Sequence, residues 1–177
     1  MRTETTIVKL QAFMVALGKE AAGSGRIYFT GGASALLYEW RSSTIDIDIK
    51  ADPEPEGFFE AIALLKNELD VNIELAAPDQ FIPALPSWQD RSVFVVRHGK
   101  LDFYHYDFFS QALAKIERGH ARDITDVEAM IRLKLISTSR LFELYTEIEP
   151  RLIRYPAITP TVFRKSVETF CAQHLQP

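Results

Sequence analysis

The chain has a single cysteine, no long apolar run, no tract dominated by a few residue types and no excess of positive charge. Cys171 has no second cysteine to pair with, which points to a reducing compartment, and the expected location is the cytoplasm. Nothing nearby marks it as an activated nucleophile, so it reads as a partly buried structural thiol. No stretch approaches the roughly 20 apolar residues of a membrane span, and no apolar leader core follows Arg2 and Glu4. A net charge of -4 excludes a surface that grips nucleic acid everywhere, while leaving room for a local basic groove. Without a second His or Cys at ligand spacing, His98 and His105 read as a turn residue and a half-buried strand residue.

The remainder is the composition of a folded protein. Its 177 residues, 47% apolar and 25% charged, are enough for one domain with a real core. The expected division is a core over residues 1–110 and a helical extension over 111–177, together one compact unit.

The stretch Arg26 to Lys50, RIYFTGGASALLYEWRSSTIDIDIK, organises the chain. It holds an apolar run (Ile27, Tyr28, Phe29), a Gly31-Gly32 turn, a helix-prone piece from Ala33 to Trp40, and an alternating strand. Successive strand side chains point to opposite faces, so Asp46 and Asp48 share one face, and Ile45, Ile47 and Ile49 the other. Neighbouring carboxylates repel, and a divalent cation removes that penalty. Mg²⁺ is held through one or two carboxylates together with substrate phosphates, which makes the pair half of a phosphate-handling site. The glycine turn supplies the other half, since glycine lets backbone amides approach an anion at the start of a helix. Gly31, Gly32 and the Ser34 hydroxyl are the expected triphosphate cradle.

Elsewhere, Ile7, Leu10, Phe13, Met14 and Leu17 predict a helix within Thr3 to Ala22, ended by Gly18 and the Gly23-Ser24-Gly25 cluster. ADPEPE, from Ala51 to Glu56, reads as a solvated acidic loop, followed by a helix over about Gly57 to Glu68. Val71 to Leu75 alternates, with Val71, Ile73 and Leu75 on one side and Asn72 and Glu74 on the other. The order strand, helix, strand predicts a crossover onto one sheet. Ala76 to Arg91 is a proline-rich but apolar loop whose Trp88 is a core anchor or a base-stacking residue. Ser92 to Val96 and Leu101 to Tyr106 predict a β-hairpin around His98-Gly99-Lys100, with Asp102, Tyr104 and Tyr106 on one face.

From Asp107 the pattern turns helical, with a break at Gly119, a helix over Ser139 to Glu149 ended by Pro150, and a loop from Arg151 to Pro156. A last helix, capped by Thr159-Pro160, carries Val162, Phe163, Val167, Phe170 and Cys171 on one face. Lys115 with Arg118, and Asp123 with Asp126, have the i, i+3 spacing of exposed helix faces. Arg151, Arg154, Arg164 and Lys165 read as an RNA-facing surface, as solvated positions or as contacts with a partner chain.

The order strand, Gly-Gly, helix, Asp-x-Asp resembles the nucleotidyltransferase superfamily of polymerase β-like fold. Gly31, Gly32, Ser34, Arg41, Asp46 and Asp48 carry the likeness, which leans toward the bacterial abortive-infection and toxin-antitoxin nucleotidyltransferase-like group. The resemblance implies an α/β (α+β) fold: a mixed sheet flanked by helices with a C-terminal helical part. It also implies transfer of a nucleoside monophosphate from an NTP, with Mg²⁺ or Mn²⁺, to a hydroxyl on RNA (tRNA included), protein or a small molecule. The alternative is an inactive nucleotide- or protein-binding module. By the same resemblance Asp46 and Asp48 are catalytic metal ligands, and Gly31, Gly32, Ser34 and Arg41 bind nucleotide. Glu74 is the third acid, with Asp102 as its rival. Lys115 meets phosphates, Asp123 or Asp126 orients it or assists the acceptor, and a cognate toxin or antitoxin chain is an implied partner.

Overall fold

The computed structural model describes residues 3–175, so Arg2 lies outside the described residues. The chain divides into two units. The first holds the chain up to Ala77 together with Ser92–Tyr106; the second holds Pro78–Arg91 and everything from Asp107 onward. The segment from 78 to 91 thus clusters with the helical part, not with the strands on either side of it.

The first unit begins with helix α1 (Ile7–Glu20), whose Leu10, Phe13, Met14 and Leu17 form one buried stripe. Strand β1 (Gly25–Thr30) runs directly into the short helix α2 (Gly31–Leu37), and β2 (Asp46–Ala51) follows. Helix α3 (Phe58–Glu68) leads to β3 (Asn72–Glu74), and the hairpin of β4 (Val93–His98) and β5 (Leu101–His105) completes the unit. The five strands form one mixed sheet in the order β3-β2-β1-β5-β4. β1 is antiparallel to β2 and parallel to β5, β2 is parallel to β3, and β4 is antiparallel to β5. The mixed sheet flanked by helices, with a helical C-terminal part, is the fold class the sequence implied.

Alternation along the strands makes two chemically different faces. Ile27, Phe29, Ile47, Ile49, Ile73, Leu101 and Phe103 join the stripes of α1 and α3 in one buried cluster. Arg26, Tyr28, Thr30, Asp46, Asp48, Lys50, Asn72, Glu74, Asp102 and Tyr104 fall on the other face by register. Two apolar residues depart from expectation. Ile45 precedes β2 and is 62% exposed, and Leu75 follows β3 and is 44% exposed, so neither joins the core face.

Gly18 does not end α1, which continues to Glu20. A Cβ on Gly18 would stand 2.6 Å from the His98 carbonyl oxygen, so its smallness seats the β4–β5 turn against the helix. Gly99, in that turn, has φ of +57° and lies as close to Gly18 in return.

The second unit contains α4 (Trp88–Arg91), α5 (Phe108–Arg118), α6 (Ala121–Arg132), α7 (Thr138–Ile148) and α8 (Pro160–Gln173). The proline-rich stretch is therefore partly helical, with a 3₁₀ turn at Pro78–Gln80, and Trp88 is a buried anchor. α5 packs on α6, α7 and α8. Its N-cap is Asp107, whose carboxylate accepts from Phe109 N–H at 3.2 Å, Ser110 Oγ at 2.7 Å and Arg91 Nη2 at 2.9 Å. Gly119, with φ of +71°, ends α5. Pro150 does not stop the chain turning, because a 3₁₀ stretch over Glu149–Arg154 takes over where the α-helix ends. Val162 is 61% exposed and leaves the apolar face of α8 to Phe163, Val167 and Phe170. No helix among the described residues is long and apolar enough to cross a membrane.

Candidate active site

The junction of β1 and α2 has no linker, so the chain must reverse within one residue. Gly31 does this with φ of +55°, a conformation that costs an L-residue about 1–2 kcal/mol. A Cβ there would stand 2.9 Å from Asp48 Oδ2, so the acid side chain lies directly against the glycine backbone. Gly32 serves a different purpose. Its backbone is not left-handed; a Cβ would stand 2.0 Å from Thr44 Oγ1. Thr44 is itself fixed, with its hydroxyl on the Asp46 carbonyl at 3.1 Å and its backbone bridged to Thr5 at 2.7 and 2.9 Å. The glycine pair is therefore packed onto the start of the acid strand, one residue touching the link and the other touching the acid.

Asp46 and Asp48 are half-buried on the polar face of β2. Parallel pairing sets Asn72 beside Asp46 and Glu74 beside Asp48, which makes a two-by-two array on the sheet. Asn72 Nδ2 donates a short hydrogen bond to Asp46 Oδ1 and a longer one, 3.4 Å, to Glu74 Oε1. Thr30, level with Asp48 on β1, donates to the Ala76 carbonyl at 3.2 Å.

Asp102, the rival third acid, is elsewhere. It is level with Arg26, whereas Asp48 is level with Thr30, four residues further along β1. That separates them by about 13 Å along the strands, in addition to two strand spacings across. Arg97 grips both Asp102 oxygens at 2.6 and 2.8 Å, and this fork holds the Asp102 carboxyl below its ordinary range.

Ser34 is also not where the sequence reading put it. Its side chain is fully buried, 2.9 Å from His105 Nδ1 and donating to the Phe29 carbonyl at 3.3 Å. His105 shares its strand parity with Leu101 and Phe103, so this contact is on the core face, opposite the acids. The same Phe29 carbonyl accepts from Tyr106 N–H at 2.8 Å, which ties the ends of β1 and β5 to the first turn of α2. Burial pushes the His105 imidazole down to about 4, so it is neutral at physiological pH. Ser34 supports the turn from beneath. Arg41, half-buried, sits in the link after α2 with its N–H on the Ala35 carbonyl at 3.4 Å.

The charges of the second unit are not a solvated helix face. Lys115, Asp123 and Asp126 are all buried, the last only 1% exposed. Lys115 Nζ stands 2.7 Å from Asp126 and 3.4 Å from Asp123, and Arg118 closes on both Asp123 oxygens at 2.5 and 2.7 Å. Desolvation raises the Asp123 carboxyl, but the Arg118 hydrogen bonds and the Lys115 charge outweigh it and hold the group below its usual range. Of the proposed basic surface, Arg164 is engaged by Glu149 and Glu168, and Arg151 donates to the Ala84 carbonyl at 2.8 Å.

Residues 5–156 match the family described as nucleotidyltransferase of unknown function (DUF6036). The chain belongs to this nucleotidyltransferase family. No curated protein and no solved structure matches it. In a nucleotidyltransferase of this make-up, the polar sheet face of the first unit is the part chemically suited to a divalent cation. The donors are hard carboxylate oxygens, and the acid is seated on a glycine that a Cβ would displace. Among the described residues no group of three or more His, Cys, Asp or Glu side chains gathers as a metal cluster. A hard divalent cation needs only one or two such carboxylates where substrate phosphates and water supply its other ligands.

The sequence reading assigned no site role to Asn72, Thr44 or His105. Asn72 had a visible signal, since it shares strand parity with Glu74; the others act through tertiary contacts.

Proposed function

We propose that this chain transfers a nucleoside monophosphate from an NTP to an acceptor hydroxyl, using the Asp46–Asp48 face of the first unit. The observation that carries the reading is the seating of Asp48 Oδ2 against the Gly31 backbone. It puts a carboxylate oxygen suited to a hard cation directly beside the backbone of the glycine turn, where a phosphate would be received. Membership of the nucleotidyltransferase family supports it.

Bound Mg²⁺ or Mn²⁺ would neutralise phosphate charge and polarise the reacting oxygens. Asp46 and Asp48 would hold it, each offering an oxygen on the same side of β2. The Gly31-Gly32 backbone would receive the triphosphate, and because α2 is only 7 residues long, close approach contributes more here than a helix dipole. Glu74, level with Asp48 on the adjacent strand, would accept the proton of the attacking hydroxyl. Arg41 would offset charge on the phosphates, and within the second unit Asp123 and Asp126 hold the Lys115 ammonium. The work is positioning and charge neutralisation, as phosphoryl chemistry requires. The acceptor would be a hydroxyl of RNA, protein or a small molecule, and a cognate chain of a toxin-antitoxin or phage-defence system would be the partner.

The test is incubation with each labelled NTP, Mg²⁺ and cellular RNA or lysate, beside the Asp46→Ala/Asp48→Ala variant. Label transfer by the wild type alone supports the proposal; equal transfer by both chains refutes the assignment of the acids. A second reading is a nucleotide- or protein-binding module without turnover. It expects nucleotide binding without pyrophosphate release.

A further inference from the structure

We propose that Asn72 is a positioning residue for the cation site, orienting the Asp46 carboxylate and keeping it apart from Glu74. This rests on the nucleotidyltransferase reading of the Asp46–Asp48 face. Asn72 is level with Asp46 across the parallel β2–β3 pair, and both are half-buried on the polar face. Its amide nitrogen donates to Asp46 Oδ1 and, at 3.4 Å, to Glu74 Oε1. One amide thus bridges two carboxylates that the register would otherwise leave as diagonal neighbours with nothing between them but like-charge repulsion.

The side-chain type decides what this does. An asparagine amide is neutral and carries two donors on one nitrogen, so it satisfies both acids without adding a charge. A lysine or arginine there would neutralise Asp46 and compete with a cation; an aspartate would crowd a further negative charge into the array. By occupying Asp46 Oδ1 from the β3 side, Asn72 fixes the carboxylate plane and leaves Oδ2 for the cation. It also ties Glu74, the exposed residue of a three-residue edge strand, to the level of the acid pair. Removing such a supporting hydrogen bond beside a metal ligand characteristically lowers metal affinity about 10- to 100-fold.

The experiment titrates Mn²⁺ into the nucleotide-free full chain, with bound ion read by electron paramagnetic resonance. Four variants are compared with the wild type: Asn72→Ala, Asn72→Leu, Asn72→Gln and Asp46→Ala/Asp48→Ala. Leucine keeps the branching of asparagine without its donor, and glutamine keeps the donor on one more methylene. The expected result is Mn²⁺ affinity lowered at least 10-fold in Asn72→Ala and Asn72→Leu, restored at least in part in Asn72→Gln, and abolished in the double aspartate variant. Thermal unfolding without metal reports on folding separately, and either donorless variant that stays folded suffices. Unchanged affinity in a folded donorless variant, while the double aspartate variant has lost the ion, overturns the role of Asn72 and leaves the acid site standing. Binding that survives in the double aspartate variant overturns the underlying reading.

Discussion

Replacing Gly31 by alanine should cost stability for two separable reasons. The first is backbone: φ of +55° costs an L-residue about 1–2 kcal/mol. The second is contact: the new Cβ would stand 2.9 Å from Asp48 Oδ2, too close to leave the carboxylate where it is. Forced displacement of this kind typically adds about 1 kcal/mol or more. A double-mutant cycle separates them, because Asp48→Ala removes the oxygen but leaves the backbone conformation alone. Urea unfolding of wild type, Gly31→Ala, Asp48→Ala and the double variant should give a coupling of about 1 kcal/mol, with Gly31→Ala costing less when residue 48 is alanine. Additivity within about 0.3 kcal/mol would refute the claim that Asp48 rests on Gly31, and with it the convergence on which the proposed site depends.

Three further outcomes follow from the same geometry. His105 is neutral in the fold and titrates at about 4, against an ordinary 6.5, so the unfolded chain takes up a proton before the folded one does. Its contribution is complete above pH 6.5 and is lost as pH falls toward 4, up to about 3 kcal/mol, which urea unfolding across that window would reveal; a flat profile would contradict it. Asp123, depressed by Arg118 and Lys115 against its burial, adds loss in the same direction as pH falls through the carboxylate range. Lys115→Met, which leaves Asp126 and Asp123 buried with their lysine partner gone, should destabilise the protein by about 3–5 kcal/mol by urea unfolding; a change below about 1 kcal/mol would return the cluster to a solvated surface role. Asp102→Ala should leave label transfer within about twofold of wild type, whereas Glu74→Ala should lower it at least 10²-fold as expected for a lost general base; the reverse ranking would make Asp102 the third acid.

The acid pair was legible because strand alternation is a local rule: Asp46 and Asp48 share the polar face whatever surrounds them. The glycine turn was legible as a pair but not residue by residue. Gly31 is the left-handed residue, whereas Gly32 is small because Thr44 packs on it. Thr44 is 12 positions away, and no pattern encodes that contact. Gly18 was taken for a helix end for the same reason, its true constraint being a hairpin 80 positions later. The Lys115 cluster was readable in spacing and not in burial, since i, i+3 charges look alike on an exposed face and inside a network. Ser34 sits in the right turn but points toward His105, because the direction of a helix's first turn depends on what it packs against.

The most direct test is equilibrium binding of a non-hydrolysable NTP analogue with and without Mn²⁺, in wild type and Asp48→Ala. Metal-dependent binding in the wild type that disappears when Asp48 is removed is the expected result. Binding that ignores the metal, or that persists in Asp48→Ala, would contradict the convergence of the acids and the glycine turn on one metal-nucleotide.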